Sequence, residues 1–153
     1  MKRGASVDKY DFFWKTMDLC DWSKEGDDEL VLKPVIEYLS SKKDDDIFQF
    51  EDLMSELLYE LDTKELADQC YEVDEYMCDD TFLYSRCVAL INGRNYYEKA
   101  KKGQCRDMWG MEFEALLYVP LSAWSLKHNE SMDNYPHISL FSYETGSNTD
   151  GWK

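Results

Sequence analysis

Ile47-Phe48-Gln49-Phe50-Glu51-Asp52-Leu53-Met54-Ser55-Glu56-Leu57-Leu58-Tyr59-Glu60-Leu61 is the stretch that decides the fold class of this chain. Ile47, Phe50, Met54, Leu57, Leu58 and Leu61 recur at intervals of three and four residues, which gathers them on one face of an α-helix. The pattern holds for about four turns. Asp44, Asp45 and Asp46 stand directly before it, where negative charge meets the positive end of a helix dipole.

Outward from this segment the helical period repeats. Upstream, Tyr10, Phe13, Trp14 and Met17 line one face of a first helix, with Ser6 or Asp8 as its cap. After a polar connection containing Gly26, residues 28–41 form a second helix through Leu32, Ile36 and Leu39. Pro34 either opens that helix or kinks it. Downstream, Asp62 and Glu65 have capping-box spacing for a helix through Tyr71 and Val73. Another helix opens at Asp79 or Asp80, runs through Leu83, Cys87, Leu90 and Ile91, and meets Gly93 as a left-handed C-cap. A short helix holds Tyr96, Tyr97 and Ala100 and stops at Gly103. A last long helix carries Trp109, Phe113, Leu116, Leu117 and Trp124, bent at Pro120.

Beyond Asn129 the period fades. His137 to Tyr143 alternates weakly and tends to β, and residues 144–151 are rich in turn formers. The expectation is an all-α, compact multi-helix bundle in a single domain over 1–153. Its helical body spans about 8–128, and a short irregular or β-tending C-terminal tail, about 129–153, lies on the helices with Trp152 as anchor.

Composition narrows the function classes. The 153 residues carry a formal net charge of −15, yet 44% are hydrophobic and 15% aromatic, so the chain buries a core and holds its charge on a folded surface. Phosphate repels such a surface, which argues against direct binding of nucleic acid or anionic lipid. Apolar runs are too short for a membrane span, and the N-terminus lacks the apolar stretch of a signal peptide. Five cysteines, an odd count with no C-x-x-C pair, fit reduced thiols in a cytoplasm.

Asp79-Asp80-Thr81-Phe82-Leu83-Tyr84-Ser85-Arg86-Cys87-Val88-Ala89-Leu90-Ile91-Asn92-Gly93 resembles the central motif of the bacterial family catalogued as domain of unknown function 4240. That motif is an acidic pair, an aromatic, an arginine, an apolar run and a glycine. Phe13-Trp14 looks like the family's opening Phe-Trp. Phe50 with Leu57-Leu58, and Phe113-Glu114 with Leu116-Leu117-Tyr118-Val119, are similar to further helices of the family, so the likeness covers roughly residues 10–126. The chain departs from the family between Cys70 and Cys78, which is acidic where relatives carry Trp-Gly. The resemblance implies a helical bacterial cytoplasmic domain and no assigned activity. Small acidic families of this kind often look like immunity proteins of toxin systems, an analogy only.

Two candidate sites follow. The first is acidic: Asp74, Glu75, Asp79 and Asp80, beside Glu72, with Asp44, Asp45 and Asp46 as a second patch. Such carboxylates attract the lysines and arginines of a basic partner, whereas the ordinary structural role is a solvated connection and helix caps. A cation site is the third option, but the spacing matches no calcium loop. The second candidate is Arg86, close to the apolar face of its helix. It is either an internal structural cation paired with Glu112 or Glu114, or the anchor of an anion pocket. Arg94, Lys99, Lys101, Lys102 and Arg106 form a basic stripe, whose ordinary role is pairing with acidic neighbours. Trp22 and Trp152 serve either as interface anchors or as covers for helix ends.

No nucleophile elbow, phosphate loop, zinc-protease motif or dinucleotide fingerprint is present. No cofactor or metal is expected, and no reaction can be named. The leading expectation is an acidic protein-binding domain that neutralises a basic partner, such as a nuclease toxin. The alternative is a small-ligand binder or enzyme with a pocket around Arg86, which requires that guanidinium to be reachable from solvent.

Overall fold

The computed structural model describes residues 8–153, which form seven α-helices joined by short turns, with no strand among the described residues. The helices are α1 (Asp11–Met17), α2 (Asp28–Ser40), α3 (Asp44–Glu60), α4 (Lys64–Val73), α5 (Asp79–Ile91), α6 (Arg94–Lys101) and α7 (Val119–His128). Ser6 lies outside the described residues. Asp8 accepts the Tyr10 amide at 2.8 Å, so it shapes the turn that leads into α1.

The long apolar period of α3 becomes its inner face: Ile47, Phe50, Leu53, Met54, Leu57 and Leu58 are buried. Phe50 stacks on Phe13 of α1 with centroids 5.0 Å apart. Trp14 leans on Tyr97 of α6 at 5.4 Å, which joins the two ends of the sequence pattern in one aromatic core. Each such side chain contributes about 1.5–3 kcal/mol through burial. α2 packs most extensively against α7, and α3 against both α7 and α5. The middle of the molecule is α5, on which every residue from Phe82 to Ile91 except Tyr84 is buried. A helix apolar all round belongs in an interior, and that places Arg86 there too.

Several local expectations are corrected. Pro34 lies inside α2, which starts at Asp28 under the Asp27 cap (Leu30 amide to Asp27 Oδ1, 3.1 Å). Thr63, not Asp62, caps α4, with its hydroxyl accepting the Leu66 amide at 3.3 Å. Gly93 has φ +93° and ψ 173°, which is not the left-handed helical cap: it follows the α5 cap Asn92 and itself begins α6. That backbone region is open essentially to glycine alone. The last long helix is broken into 3-10 turns at Arg106–Met108 and Glu114–Tyr118 and then α7. Pro120 sits in the first turn of α7, where its missing N–H costs nothing, so it starts a helix and does not bend one. The tail is irregular throughout 135–148, without the β tendency read from its alternation.

Candidate functional site

The acidic residues singled out by sequence separate into two unlike groups. Asp44 belongs to the structure: Lys127 Nζ reaches its Oδ1 at 2.7 Å and His128 Nε2 lies 2.8 Å from the same oxygen. Hydrogen bonds from Lys127 and then His128 hold its carboxyl below the ordinary aspartate value. It therefore ties α3 to α7 and is not free for a partner. Asp45 is exposed and Asp46 half-buried in the same first turn. Pairing of Asp44 removes one of the three carboxylates from the second patch.

The other group stands at the corner between α4 and α5. Glu75, Asp79 and Asp80 are exposed and Asp74 is half-buried. Asp74 accepts the Tyr76 amide at 3.0 Å, which folds the corner back on itself. Cys78 precedes α5, and its amide donates to Thr81 Oγ1 at 2.9 Å. No lysine, arginine or histidine pairs with these four carboxylates among the described residues. Their neighbour Glu72 is paired, with Arg106 at 2.8 Å. Around them Tyr76 is 83% exposed, Tyr71 58% and Val73 47%. Sequence did not mark these three side chains, because Tyr71 and Val73 fit the helical period of α4. Only the position of the corner, outside the bundle, leaves them in water.

Three of the five cations of the basic stripe pair within the molecule, while Lys99 and Lys102 have no acidic partner among the described residues. Arg94 pairs with Asp8 and, at 3.2 Å, with Asp11, Lys101 pairs with Glu60 at 2.8 Å, and Arg106 takes Glu72. Trp22 is 42% exposed and sets its edge against Phe113 at 6.2 Å.

Arg86 is 0% exposed and pairs with neither Glu112 nor Glu114. Its guanidinium donates to the Leu58 carbonyl at 3.0 Å, the Tyr143 carbonyl at 3.1 Å and Thr145 Oγ1 at 3.0 Å, and it lies over the Phe82 ring at 4.6 Å. Thr145 passes the contact on by donating to the Asp79 carbonyl at 2.8 Å. Asp62 answers Arg86 from the body. It is 0% exposed and accepts the Gly146 and Asn148 amides at 3.0 Å each and the Trp152 indole N–H at 2.8 Å. A Cβ on Gly151 would lie 3.0 Å from the Asp62 carbonyl, the Thr63 methyl and the Asn148 amide, so a side chain there would push these neighbours apart by a few tenths of an ångström. Burial lowers the pKa of Arg86, and the Asp62 charge opposes that shift. The tail supplies all three hydrogen-bond donors to Asp62 and two of the three acceptors of Arg86, whose Nε stays buried without a partner among the described residues. The solvent-reachable pocket required by the ligand-binding alternative is not formed around Arg86.

A family model described as "Protein of unknown function (DUF4240)" matches residues 9–125. The chain belongs to this family. No curated protein and no solved structure matches the chain. The DUF4240 segment contains Asp62, Arg86 and the Leu58 carbonyl that Arg86 meets, whereas their other partners, Tyr143, Thr145, Gly146, Asn148 and Trp152, all lie beyond it. No group of three or more histidine, cysteine or acidic side chains is placed to hold a metal among the described residues. No helix among them is long and apolar enough to cross a membrane.

Proposed function

We propose that this DUF4240 protein is a binding protein that docks onto a basic protein partner through the corner between α4 and α5. The supporting observation is the corner itself: four carboxylates without an internal cation beside Tyr71, Val73 and Tyr76, all exposed. Asp44 and Glu72 pair within the molecule; these four carboxylates do not, and they stand together with exposed aromatic and aliphatic surface. Tyrosine flanked by carboxylates suits lysine and arginine, which meet both the charge and the ring face. Like charges at this spacing also speed the approach of a cationic partner.

The fitting role is that of an immunity-type inhibitor in a bacterial cytoplasm, covering the basic phosphate-binding face of a toxin such as a nuclease. The five free cysteines suit a reducing compartment. The test is affinity capture from a native host on the immobilised full chain, at low salt, with elution by high salt. A cationic partner whose binding falls steeply with ionic strength, and falls again on reversing Asp74 and Glu75 to lysine, is the expected result. Association indifferent to salt and to these reversals would sink the reading.

A further inference from the structure

A second surface, unmarked in the sequence, runs along the outside of residues 112–118. Three adjoining hollows of about 310, 440 and 240 Å³ follow one another there. Glu29, Ala115 and Tyr118 line the first two, and Asp28 and Glu112 line the second and third, so they form one trough between α2 and the 112–118 segment. Its accessible apolar floor is Ile36, Ala115 and Tyr118 at one end and Trp22 and Met111 at the other. Its rim is acidic, with Glu25, Asp28, Glu29, Glu112 and Glu114. None of these five has a cationic partner among the described residues, and no lysine, arginine or histidine lines any of the three hollows.

The backbone builds the trough. Ser85 Oγ donates to the Met111 carbonyl at 2.6 Å and the Phe113 amide donates to the Tyr84 carbonyl at 3.1 Å. These bonds pin an otherwise irregular segment to α5 and leave Met111 and Tyr118 about half exposed at the lip. Burial, and then the neighbouring Asp27 charge, raise the pKa of Asp28.

We infer that this trough is a docking groove for a cationic amphipathic segment of the partner protein, an inference that rests on the proposed binding function. Aliphatic side chains of that segment lie on Ile36, Ala115, Tyr118 and Met111, and its lysines or arginines meet Asp28, Glu29, Glu112 and Glu114. Charge complementarity selects this occupant. A second copy of the chain brings the same charge of −15, and nucleic acid brings phosphate, so both are repelled. An apolar floor also separates it from a simple polycation site, since oligolysine leaves that floor uncovered.

The test uses the full chain and two labelled synthetic peptides of equal charge, one alternating lysine and leucine at helical spacing and one of lysine and glycine. Binding is followed by fluorescence anisotropy against Glu29→Lys/Glu112→Lys and Ala115→Trp in the trough, and Asp74→Lys/Glu75→Lys at the corner. The leucine peptide is expected to bind at least about tenfold more tightly than its glycine counterpart, the increment that a few buried methyl groups supply. Both trough variants should cost it about tenfold or more, and the corner variant less than about threefold. Ala115→Trp keeps the net charge and fills the floor, so its loss cannot come from charge alone. Thermal melts establish that each variant is folded, and hydrogen exchange of the unmutated protein with peptide should show protection at α2 and residues 112–118. Equal affinity for both peptides, equal losses at trough and corner, or protection elsewhere would overturn the groove. A captured partner that loses affinity on corner reversal but not on trough reversal overturns the groove alone, and one indifferent to both overturns the binding function as well.

Discussion

The indole N–H of Trp152 donates to the carboxylate of Asp62 at 2.8 Å, across 90 residues of sequence. Asp62 is fully buried, and two tail amides complete its shell. The C-terminal tail is thus the solvent for a buried anion, and through Tyr143 and Thr145 for a buried cation, Arg86. Without the tail Asp62 loses all three of these donors and Arg86 keeps only the Leu58 carbonyl.

Asp62→Ala therefore removes the acceptor of three N–H groups at once. Hydrogen bonds to a charged group are each worth about 1.5–3 kcal/mol and are not additive, so a loss of about 3–5 kcal/mol is expected. Urea denaturation measures it. Protease cleavage within 143–152 should rise in parallel, and a variant with wild-type stability would contradict the clamp.

Arg86→Met is expected to destabilise by about 3–5 kcal/mol, because the Tyr143 carbonyl and Thr145 hydroxyl lose their guanidinium donor, the Leu58 carbonyl keeps only the Leu61 amide, and the buried Asp62 loses its opposing charge. Any folded fraction should bind a basic partner as the parent does. A selective loss of binding with stability intact would return Arg86 to a functional role.

Two carboxylates carry opposite pH signatures. Asp44 has its pKa lowered by Lys127 and His128, so its contribution to stability is present above the unfolded aspartate value, about 3.9, and is lost as pH falls through its lower folded value. Asp44→Asn should flatten the acid limb of the stability curve. Glu51 has its pKa raised, chiefly by burial, against the lowering effect of the Tyr135 hydroxyl bond. Its ionisation costs stability as pH rises through the folded value, so Glu51→Gln should be neutral or mildly stabilising at pH 7. Thermal melts between about pH 3 and pH 8 would separate the two.

Gly93→Ala tests backbone strain free of crowding, since a Cβ there meets nothing within 4 Å while φ stays at +93°. A cost of about 1–3 kcal/mol is expected from conformation alone. Gly26→Ala is no control, because its φ is also positive; Ala100→Gly in α6, which changes packing, is a useful contrast in sign of mechanism.

Tyr76→Ala at the corner should leave stability within about 0.5 kcal/mol, as expected for a side chain 83% exposed. Binding to a basic partner should weaken by several-fold. Unchanged affinity would remove the aromatic component from the proposed surface.

Much of the helical framework was readable from local pattern. The period of α3, the apolar faces of α1 and α6 and the almost wholly apolar α5 follow from side-chain spacing, because a helix presents residues three and four apart on one side. The broken passage from Trp109 to Val119 was not readable as broken. Its apolar residues keep a helix-like spacing, while Gly110 at φ +90° and the bonds from Ser85 and to Tyr84 on α5 set short 3-10 turns in place of one continuous helix.

The chain's own pattern also determined that a charge of −15 must surround an apolar interior, since hydropathy and charge are properties of residues taken one by one. Which carboxylates are free was settled by the tertiary structure alone. Asp44 meets Lys127 across 83 residues, Arg86 finds carbonyls where glutamates were expected, and Asp62 is a buried clamp where a helix cap was expected. Pairing of charges depends on distance in space, and sequence records distance only along the chain.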